Sequence, residues 1–298
     1  MNMTKRIQAF YGAKYLPFGQ DVPDEGLHMP ARVENFATRV LANINEGGYA
    51  LCTGEPGQGK SVVSRLIARR LAQLDGVKVG CIDHPQSRVS DFYRELGDHF
   101  GIPMNIYNRF SGFKALRSQW LGHIESTLVR PVLLIDEAQE MAATAFTELR
   151  ILSSKDFDAR CLLTVVFFGD GRLIERFRTP ELVPLATRIR TRLHLDPMTR
   201  EELRVLLEHR METAGVPQLM TPELVVTLCE RAGGNPRALL NMAAELLYIG
   251  AEKQMERLDE KLFLEVFAPP VAKARPVAAP APAQAAKRAL GAADRRAP

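Results

Sequence analysis

One stretch of the chain has the residue types and spacing of a phosphate-binding loop. Residues 54–61 read Gly-Glu-Pro-Gly-Gln-Gly-Lys-Ser and match G-x-x-x-x-G-K-[ST] at every fixed position. Glycines allow backbone N–H groups to curl around phosphate oxygens, and a helix that begins there adds its dipole. We expect Lys60 to reach the β- and γ-phosphates and the Ser61 hydroxyl to bind Mg²⁺. The predicted nucleotide-binding residues of the loop are Gly54, Glu55, Pro56, Gly57, Gln58, Gly59, Lys60, Ser61 and Val62.

The sequence on both sides of the loop supports this interpretation. Residues 49–53 read Tyr-Ala-Leu-Cys-Thr and predict a short buried strand before the loop. After the loop, apolar residues recur at helical spacing between Val63 and Leu74. The alternative is a chance glycine-rich turn, and a strand and a helix in the required order argue against it.

A second set of candidates follows the continuous apolar stretch 132–135, which is typical of a strand buried in a parallel sheet. Asp136 comes directly after it, and a carboxylate at that position can hold Mg²⁺ through water. The next residue, Glu137, is placed to polarise a water for in-line attack on the γ-phosphate. The alternative is an acidic pair that only begins a helix. The predicted cofactors are ATP and Mg²⁺, and the predicted metal ligands are Ser61 and Asp136.

One aspartate and three arginines extend this set. Asp170 follows a predicted strand and is a candidate sensor of the γ-phosphate, although phosphate repels an acid unless Mg²⁺ or an arginine lies close; a plain turn residue is the alternative. Arg188, Arg190 and Arg192 alternate along the chain, and one of them, with Arg188 the first choice, is a candidate arginine finger for a neighbouring subunit. A solvated basic edge is the alternative. The predicted catalytic residues are Lys60, Glu137, Asp170 and Arg188.

Arg237 is a further candidate for nucleotide binding. It lies in the sequence Gly-Gly-Asn-Pro-Arg of residues 233–237, where it is predicted to occupy the first turn of a helix. A cation in that position opposes the helix dipole, so an anionic partner would explain it. We expect that partner to be the γ-phosphate of ATP, and a surface arginine is the alternative.

The elements that must position these residues alternate between strand and helix up to residue 196. This order predicts an α/β fold of the P-loop NTPase kind, with a parallel five-stranded sheet flanked by helices. Strands are predicted at 49–53, 77–83, 132–136, 161–168 and 194–195. From residue 197 the pattern is helical only, which predicts a small all-helical lid. Helix caps are predicted at Ser90, Ser111, Thr199 and Thr221.

Four segments are predicted along the chain. The last is rich in Ala and Pro, has few large apolar residues and is expected to be disordered. The segments are a leader at 1–30, an α/β nucleotide-binding domain at 31–196, a helical lid at 197–268 and a basic tail at 269–298.

Composition places the chain among globular proteins, with 46% hydrophobic and 25% charged residues in 298. The net charge is +4, but the tail holds six lysines and arginines against one aspartate, which leaves the rest of the chain at −1. Nucleic-acid contact by the body therefore needs a local patch. The candidates are residues 107–117, with Phe110 and Lys114, and a cluster on the helix after the loop; solvated helix faces are the alternative. That cluster comprises Arg65, Arg69 and Arg70.

Cysteine and histidine usage points away from a structural metal or a disulfide framework. The four cysteines form no C-x-x-C pair, and the six histidines show no metal-ligand spacing. The sequence has no apolar run of about 18 residues and begins without an apolar signal core, so we expect a cytoplasmic protein without a membrane span.

These motifs together resemble an AAA+ ATPase. They are the phosphate loop, Ile-Asp-Glu-Ala-Gln at 135–139, the polar residue after the fourth strand, the arginine that follows it, and Gly-Asn-Pro-Arg at 234–237. Within that superfamily the chain looks like the ExeA-type ATPases. The features that support this are Tyr11 with Tyr-Leu-Pro-Phe at 15–18, the 135–139 sequence, and Leu-Ala-Thr-Arg-Ile at 185–189.

The resemblance implies Mg·ATP hydrolysis between subunits of a homo-oligomer. It covers roughly residues 10–267, and there are two departures. ExeA-type secretion proteins usually continue into a membrane span and a peptidoglycan-binding module, which this chain is expected to lack, and their strand-tip Gln is Asp170 here. A short module of this kind resembles the transposon helper ATPases of the TniB, TnsC and MuB kind. That resemblance implies a ring or filament on duplex DNA and a DDE transposase as partner. The alternatives are a secretion-associated assembly ATPase and a non-hydrolysing nucleotide switch.

Overall fold

The computed structural model describes residues 3–83, 85, 88–102, 109–156 and 159–267. The predicted tail at 269–298 lies outside these residues. Seven strands occur in the described chain, at β1 (Gly48–Gly54), β2 (Val77–Ile82), β3 (Arg130–Ile135), β4 (Ser154–Lys155), β5 (Arg160–Cys161), β6 (Thr164–Gly169) and β7 (Ile189–Leu195).

Helices separate most of these strands and then follow the last one. The first eight are α1 (Met3–Tyr11), α2 (Ala31–Ala42), α3 (Lys60–Ala72), α4 (Val89–Phe100), α5 (Arg109–Gly122), α6 (Ala143–Ser153), α7 (Gly171–Phe177) and α8 (Val183–Ala186). The remaining four are α9 (Arg200–Thr213), α10 (Pro222–Arg231), α11 (Pro236–Glu252) and α12 (Glu260–Phe267). Short turns of 3₁₀-helix lie at Asp24–Gly26 and Ala138–Glu140, and a π-helical turn lies at His123–Thr127.

A five-stranded parallel sheet forms the centre of the molecule, in the order β2-β3-β6-β1-β7. The predicted α/β fold with helices on both faces is confirmed. Successive residues of β3 alternate between two cores: Leu133 and Ile135 face the core with α4, α5 and α6, while Val132 and Leu134 face the core with α2 and α3. Because both faces are covered, the strand is continuously apolar, which is the pattern that allowed it to be predicted.

Two strand predictions differ from the structure. The stretch predicted as one strand at 161–168 is divided, since β5 pairs with β4 in a separate antiparallel hairpin and β6 begins at Thr164. The strand predicted at 194–195 is seven residues long. As the edge strand, β7 buries alternate residues and exposes Arg190 and Arg192, and these charges hid it in the sequence.

The helices from α9 to α12 form a third core that includes the start of the chain. Ile7 of α1 and Phe18 are buried in it, although both belong to the segment predicted as a leader. Whether residues 197–268 form a separate domain stays a prediction. None of the helices in the described ranges has the length and apolar character needed to cross a membrane.

Two of the four predicted caps are found. Thr199 accepts a hydrogen bond from the backbone N–H of Glu202 in a capping box, and Thr221 caps α10. The predictions at Ser90 and Ser111 are wrong, because both serines lie inside the first turn of their helices, where the backbone is already helical.

Ile7 offers a test of the third core. We expect Ile7→Ala to lower the free energy of unfolding by about 2–4 kcal/mol, because a side chain that is 1% exposed leaves a cavity when truncated. Urea unfolding measures this change. Met3→Ala on the same helix, where the side chain is exposed, should change it by less than about 0.5 kcal/mol. Equal stability of the Ile7 variant and the unsubstituted chain would show that α1 does not hold this core together.

Candidate active site

The phosphate loop connects β1 to the N-terminus of α3, as its sequence requires. Gly57 and Gly59 have φ values of +89° and +96°, a backbone region that residues with a Cβ rarely adopt. Lys60 is 6% exposed, and its ammonium donates to the carbonyl oxygens of Gly54 at 2.9 Å and Glu55 at 3.4 Å. The cation thus lies across the loop with its backbone carbonyls as temporary partners. Its contact with phosphate stays a prediction.

Asp136 lies at the same edge of the sheet as the loop. It follows β3, and its backbone N–H donates to the carbonyl of Ile82 at 2.9 Å. Both charged groups affect the pKa of the Cys52 thiol on β1. Burial is the main cause and raises this pKa to about 12, while Lys60 lowers it and Asp136 raises it. The predicted phosphate-binding cation and the predicted metal-holding carboxylate therefore lie at the carboxyl ends of β1 and β3, which β6 separates.

The candidate metal ligands suit Mg²⁺ by their chemistry. Ser61 is exposed in the first turn of α3, and its hydroxyl and the Asp136 carboxylate are hard oxygen donors. Within the described ranges no three His, Cys, Asp or Glu residues are grouped as a protein-only metal site. A magnesium ion shared with phosphates and water does not need such a group.

Glu137 is held in an unusual conformation. Its φ of +45° lies in the left-handed region, which costs a residue with a side chain free energy and is found mostly at functional sites. The backbone N–H of Glu137 donates to the Asp136 carboxylate at 2.9 Å. Its own carboxylate accepts a hydrogen bond from the side-chain amide of Gln139.

Gln139 links this carboxylate to the neighbouring strand, a role that was not predicted from the sequence. The side chain is 6% exposed, and while its NH₂ group donates to Glu137, its carbonyl oxygen accepts from the backbone N–H of Asp170 at 3.2 Å. Gln139 therefore fixes the position of Glu137 against the end of β6. The only signal in the sequence was its place in the Ile-Asp-Glu-Ala-Gln motif.

Asp170 has a structural role that was not predicted. Its carboxylate caps α7 by accepting from the backbone N–H of Arg172 at 2.9 Å, and it accepts from Nε of the same arginine at 2.8 Å. Arg172 also reaches Glu140 at 2.7 Å. The arginine supplies the cation that an acid near phosphate would require. A direct role of Asp170 in catalysis stays a prediction.

The helical part of the chain is seated directly on the loop. Asn235 caps α11 through its side-chain oxygen, and its Nδ2 donates to the carbonyl of Pro56 at 3.1 Å. The backbone N–H of Arg237 lies 3.3 Å from the carbonyl of Gly57. A Cβ at Gly57 would approach the Asn235 side chain to 2.5 Å, so this glycine is needed for the contact. Arg237 thus begins beside the loop, although its contact with the γ-phosphate stays a prediction.

A cavity of about 710 Å³ opens beside the loop and falls within the range of small-molecule sites. The loop and α3 form one wall, and α9 and α11 form another. The segment at 18–33, predicted only as a leader and helix start, supplies the third. Apolar side chains from all three walls meet there: Phe18, Leu27, Met29, Leu66, Leu206 and Leu240.

Of the three candidate arginines, Arg188 lies at the opposite end of the strands from the loop, whereas Arg192 pairs with Leu51 in the middle of β1. Ile189 pairs with Tyr49 at the start of β1, and the strand runs about 20 Å before it reaches the loop. Arg188 precedes that strand, so it lies far from the loop of its own chain. Arg190 pairs with Glu46 at 2.9 Å, and Arg192 donates to a backbone carbonyl at 2.9 Å. Which arginine reaches a neighbouring subunit stays a prediction, with Arg188 the first choice.

The two candidate DNA-binding clusters differ in how their side chains are paired and exposed. On α3, Arg69 forms an ion pair with Asp24 and Arg70 forms a bidentate pair with Glu34 at 2.7 and 2.8 Å. Arg65 faces the cavity. Two of these cations are therefore paired with acidic side chains at the surface, and a DNA surface there stays a prediction. In the other cluster, residues 103–108 lie outside the described chain, while Phe110 is 75% exposed.

Gln139 gives a test of the linked carboxylate. We expect Gln139→Ala to lower the turnover of nucleoside triphosphate by about 10- to 100-fold, because Glu137 loses the hydrogen bond that orients it. Binding of ADP should not change, because Gln139 does not line the cavity beside the loop. A coupled hydrolysis assay and a titration with ADP separate the two effects. Gln119→Ala, which removes an amide from α5, is the control, and equal turnover of both variants would contradict the role of Gln139.

Comparison with known proteins supports the same assignment. A family model described as an AAA domain matches residues 44–177. General secretion pathway protein A of Aeromonas hydrophila is 31% identical over 247 residues, which cover 81% of this chain but only 44% of that protein. The chain thus spans less than half the length of this relative.

Solved structures with a similar fold include ORC proteins. The Aeropyrum pernix ORC2 protein in ADPNP and ADP complexes has a TM-score of 0.66 and 18% identity, over 84% of this chain and 69% of that one. Drosophila ORC bound to DNA has a TM-score of 0.68 and 17% identity, over 88% of this chain and 65% of that one. Identities this low show the fold alone. With the phosphate loop and the carboxylates at the carboxyl ends of the strands, residues 44–177 form an AAA domain of the P-loop kind, and the chain is similar in sequence to general secretion pathway protein A.

Proposed function

We propose that the protein binds Mg·ATP and hydrolyses it between the subunits of a homo-oligomer. The observation that carries this proposal is that the candidate residues lie at the two opposite ends of the parallel strands. Lys60, Asp136 and Glu137 lie at the carboxyl edge, whereas Arg188 lies at the amino edge. If Arg188 offsets transition-state charge, it therefore does so at the nucleotide of another copy of the chain.

The residues of one copy divide the chemistry between them. Lys60 would exchange its loop carbonyls for phosphate oxygens. Ser61 and Asp136 would hold Mg²⁺, which supplies charge neutralisation when bound. Glu137 would orient a water and accept its proton, and Arg237 would hold the γ-phosphate from the lid side.

Glu137→Gln tests the hydrolytic part of this proposal. The amide cannot accept a proton, so turnover should fall by about 10²- to 10³-fold while ATP binding is retained. Steady-state hydrolysis and a binding titration give the two values. The control is Glu140→Gln, three residues after Glu137, which alters an exposed ion pair with Arg172. This variant should leave both turnover and ATP binding unchanged. Undiminished turnover in the Glu137 variant would favour the non-hydrolysing switch.

We further propose that the oligomer assembles on duplex DNA in the cytoplasm as a helper of transposition, with a DDE transposase as partner. At the start of α5, Phe110 is 75% exposed and Lys114 is exposed one turn later. A lysine beside an exposed aromatic ring suits contact with phosphates and sugars without reading the sequence. Drosophila ORC, which shares the fold, is described as bound to DNA, and this is an analogy of fold.

A secretion-associated assembly ATPase is the second candidate. The 31% identity to general secretion pathway protein A over 247 residues favours it. In that case the client of the oligomer is a protein of the cell envelope and not DNA.

Co-sedimentation with duplex DNA discriminates between the two candidates. We expect the protein to pellet with DNA in the presence of ATP at moderate salt, and not with ADP. Lys114→Gln should weaken binding uniformly across DNA sequences and reduce the slope against salt by about one. Lys253→Gln, which breaks an exposed ion pair with Glu265 at the end of α11, is the control. If the protein does not bind DNA in the presence of ATP, the transposition proposal is wrong and the secretion candidate is favoured.

A further inference from the structure

Helix α7 packs against residues 137–141, the Glu137 turn, and one of its arginines makes a contact that no role described above explains. Arg176, in the last turn of α7, is partly buried, and its Nη1 donates to the backbone carbonyl of Gln139 at 2.5 Å. Its guanidinium carbon also lies 5.3 Å from the centroid of the Phe146 ring on α6. Arg176 therefore connects α7 both with the Glu137 turn and with the helix that follows this turn.

The partners of Arg176 differ from those of the neighbouring arginines. Arg172 pairs with Glu140, and Arg178, directly after α7, pairs with Glu175; both of these arginines are exposed. Among the residues that the structure describes, Arg176 has no acidic partner, and its acceptor is a carbonyl. A charged donor makes a shorter and stronger hydrogen bond than a neutral one, and the aromatic face below the cation adds attraction. The contact therefore fixes the backbone of the Glu137 turn firmly.

The Glu137 turn depends on contacts from outside because a single turn of 3₁₀-helix has few hydrogen bonds of its own. The N–H of Glu140 donates to the carbonyl of Glu137 at 2.9 Å, and the N–H of Met141 donates to the carbonyl of Ala138 at 3.2 Å. The positive φ of Glu137 is a conformation that persists only where the surrounding structure determines it. Those surrounding contacts come from α7 and from the end of β6.

Gln139 is held at its backbone and at its side chain. Its backbone carbonyl accepts from Arg176, and its side-chain carbonyl accepts from the backbone N–H of Asp170 at 3.2 Å. A Cβ at Gly169 would approach that side-chain oxygen to 2.7 Å, so the end of β6 fits closely around it. The side-chain NH₂ group of Gln139 is thereby directed at the carboxylate of Glu137. Loss of either contact leaves this amide less constrained.

We propose that Arg176 is a positioning residue for the hydrolysis of ATP, because it fixes the Gln139 carbonyl and so orients the amide that holds Glu137. Arg176 does not line the cavity beside the loop. Its effect therefore falls on the rate of the chemical step and not on affinity for nucleotide. This inference rests on the hydrolytic part of the proposed function and is independent of DNA.

Three variants of the full-length protein test the role of Arg176 in turnover. Arg176→Met should lower kcat for ATP about tenfold and leave the Kd for ATP unchanged, because the substitution acts through Gln139. Arg176→Lys, which retains the charge and a donor, should keep kcat within about threefold of the unsubstituted protein. The control is Arg178→Met, which removes an exposed arginine paired with Glu175 at 2.8 Å. Unchanged kcat in Arg176→Met, or an equal loss in Arg176→Lys, would overturn the proposal.

A double substitution shows whether Arg176 acts through Gln139. If it does, Arg176→Met should lower kcat no further once Gln139→Ala has removed the amide that orients Glu137. The measurement compares kcat of the two single variants with that of the double variant. Losses that multiply in the double variant would show that Arg176 acts by another route, which is contrary to the proposal.

Hydrogen exchange of the nucleotide-free protein gives a readout that does not need turnover. In Arg176→Met, the amides of Glu140 and Met141 should exchange about tenfold faster than in the unsubstituted protein, because the Glu137 turn opens more often. The same amides should be unchanged in Arg178→Met.

Two exchange results would show that the proposal is wrong. Unchanged exchange in Arg176→Met would mean that the arginine does not hold the turn, and a loss of protection throughout α6 and α7 would mean that it supports the fold as a whole. If the unsubstituted protein hydrolyses no ATP, the hydrolytic part of the proposed function fails, while exchange still decides whether Arg176 holds the Glu137 turn.

Discussion

Parallel pairing of the central strands is the constraint on which the site depends. Gly54 at the end of β1 pairs with Leu195 at the end of β7, and Ile135 at the end of β3 pairs with Phe167 of β6. The loop and the carboxylates therefore leave the sheet at one edge, which is where parallel α/β sheets bind ligands. The same register places Arg188 at the other edge. One sheet can thus supply a phosphate site to its own nucleotide and an arginine to the next copy.

The parts of the site built from contiguous residues could be predicted from the sequence. The loop was predictable because its glycines and Lys60 act through local backbone geometry, and Gly57 and Gly59 do have the positive φ values that such a turn requires. The strand before Asp136 was predictable because burial on both faces makes it continuously apolar. A local cause leaves a local pattern, and such patterns were enough to predict the fold class.

The parts that depend on distant residues could not be predicted in this way. Gln139 acts by joining Glu137 to the end of β6, and nothing in its own sequence neighbourhood specifies that contact. The segment at 18–33 contains few periodic apolar residues, yet it forms a wall of the cavity. The arginines of α3 also show that contacts with distant residues cannot be read from local sequence. They have the composition of a nucleic-acid patch, but Asp24 and Glu34 neutralise two of them across the fold.

The contact between the lid and the loop uses no charged group and no ligand atom, because Asn235 and the backbone of Pro56 and Gly57 form it. Ligand binding therefore has little free energy to gain at that point.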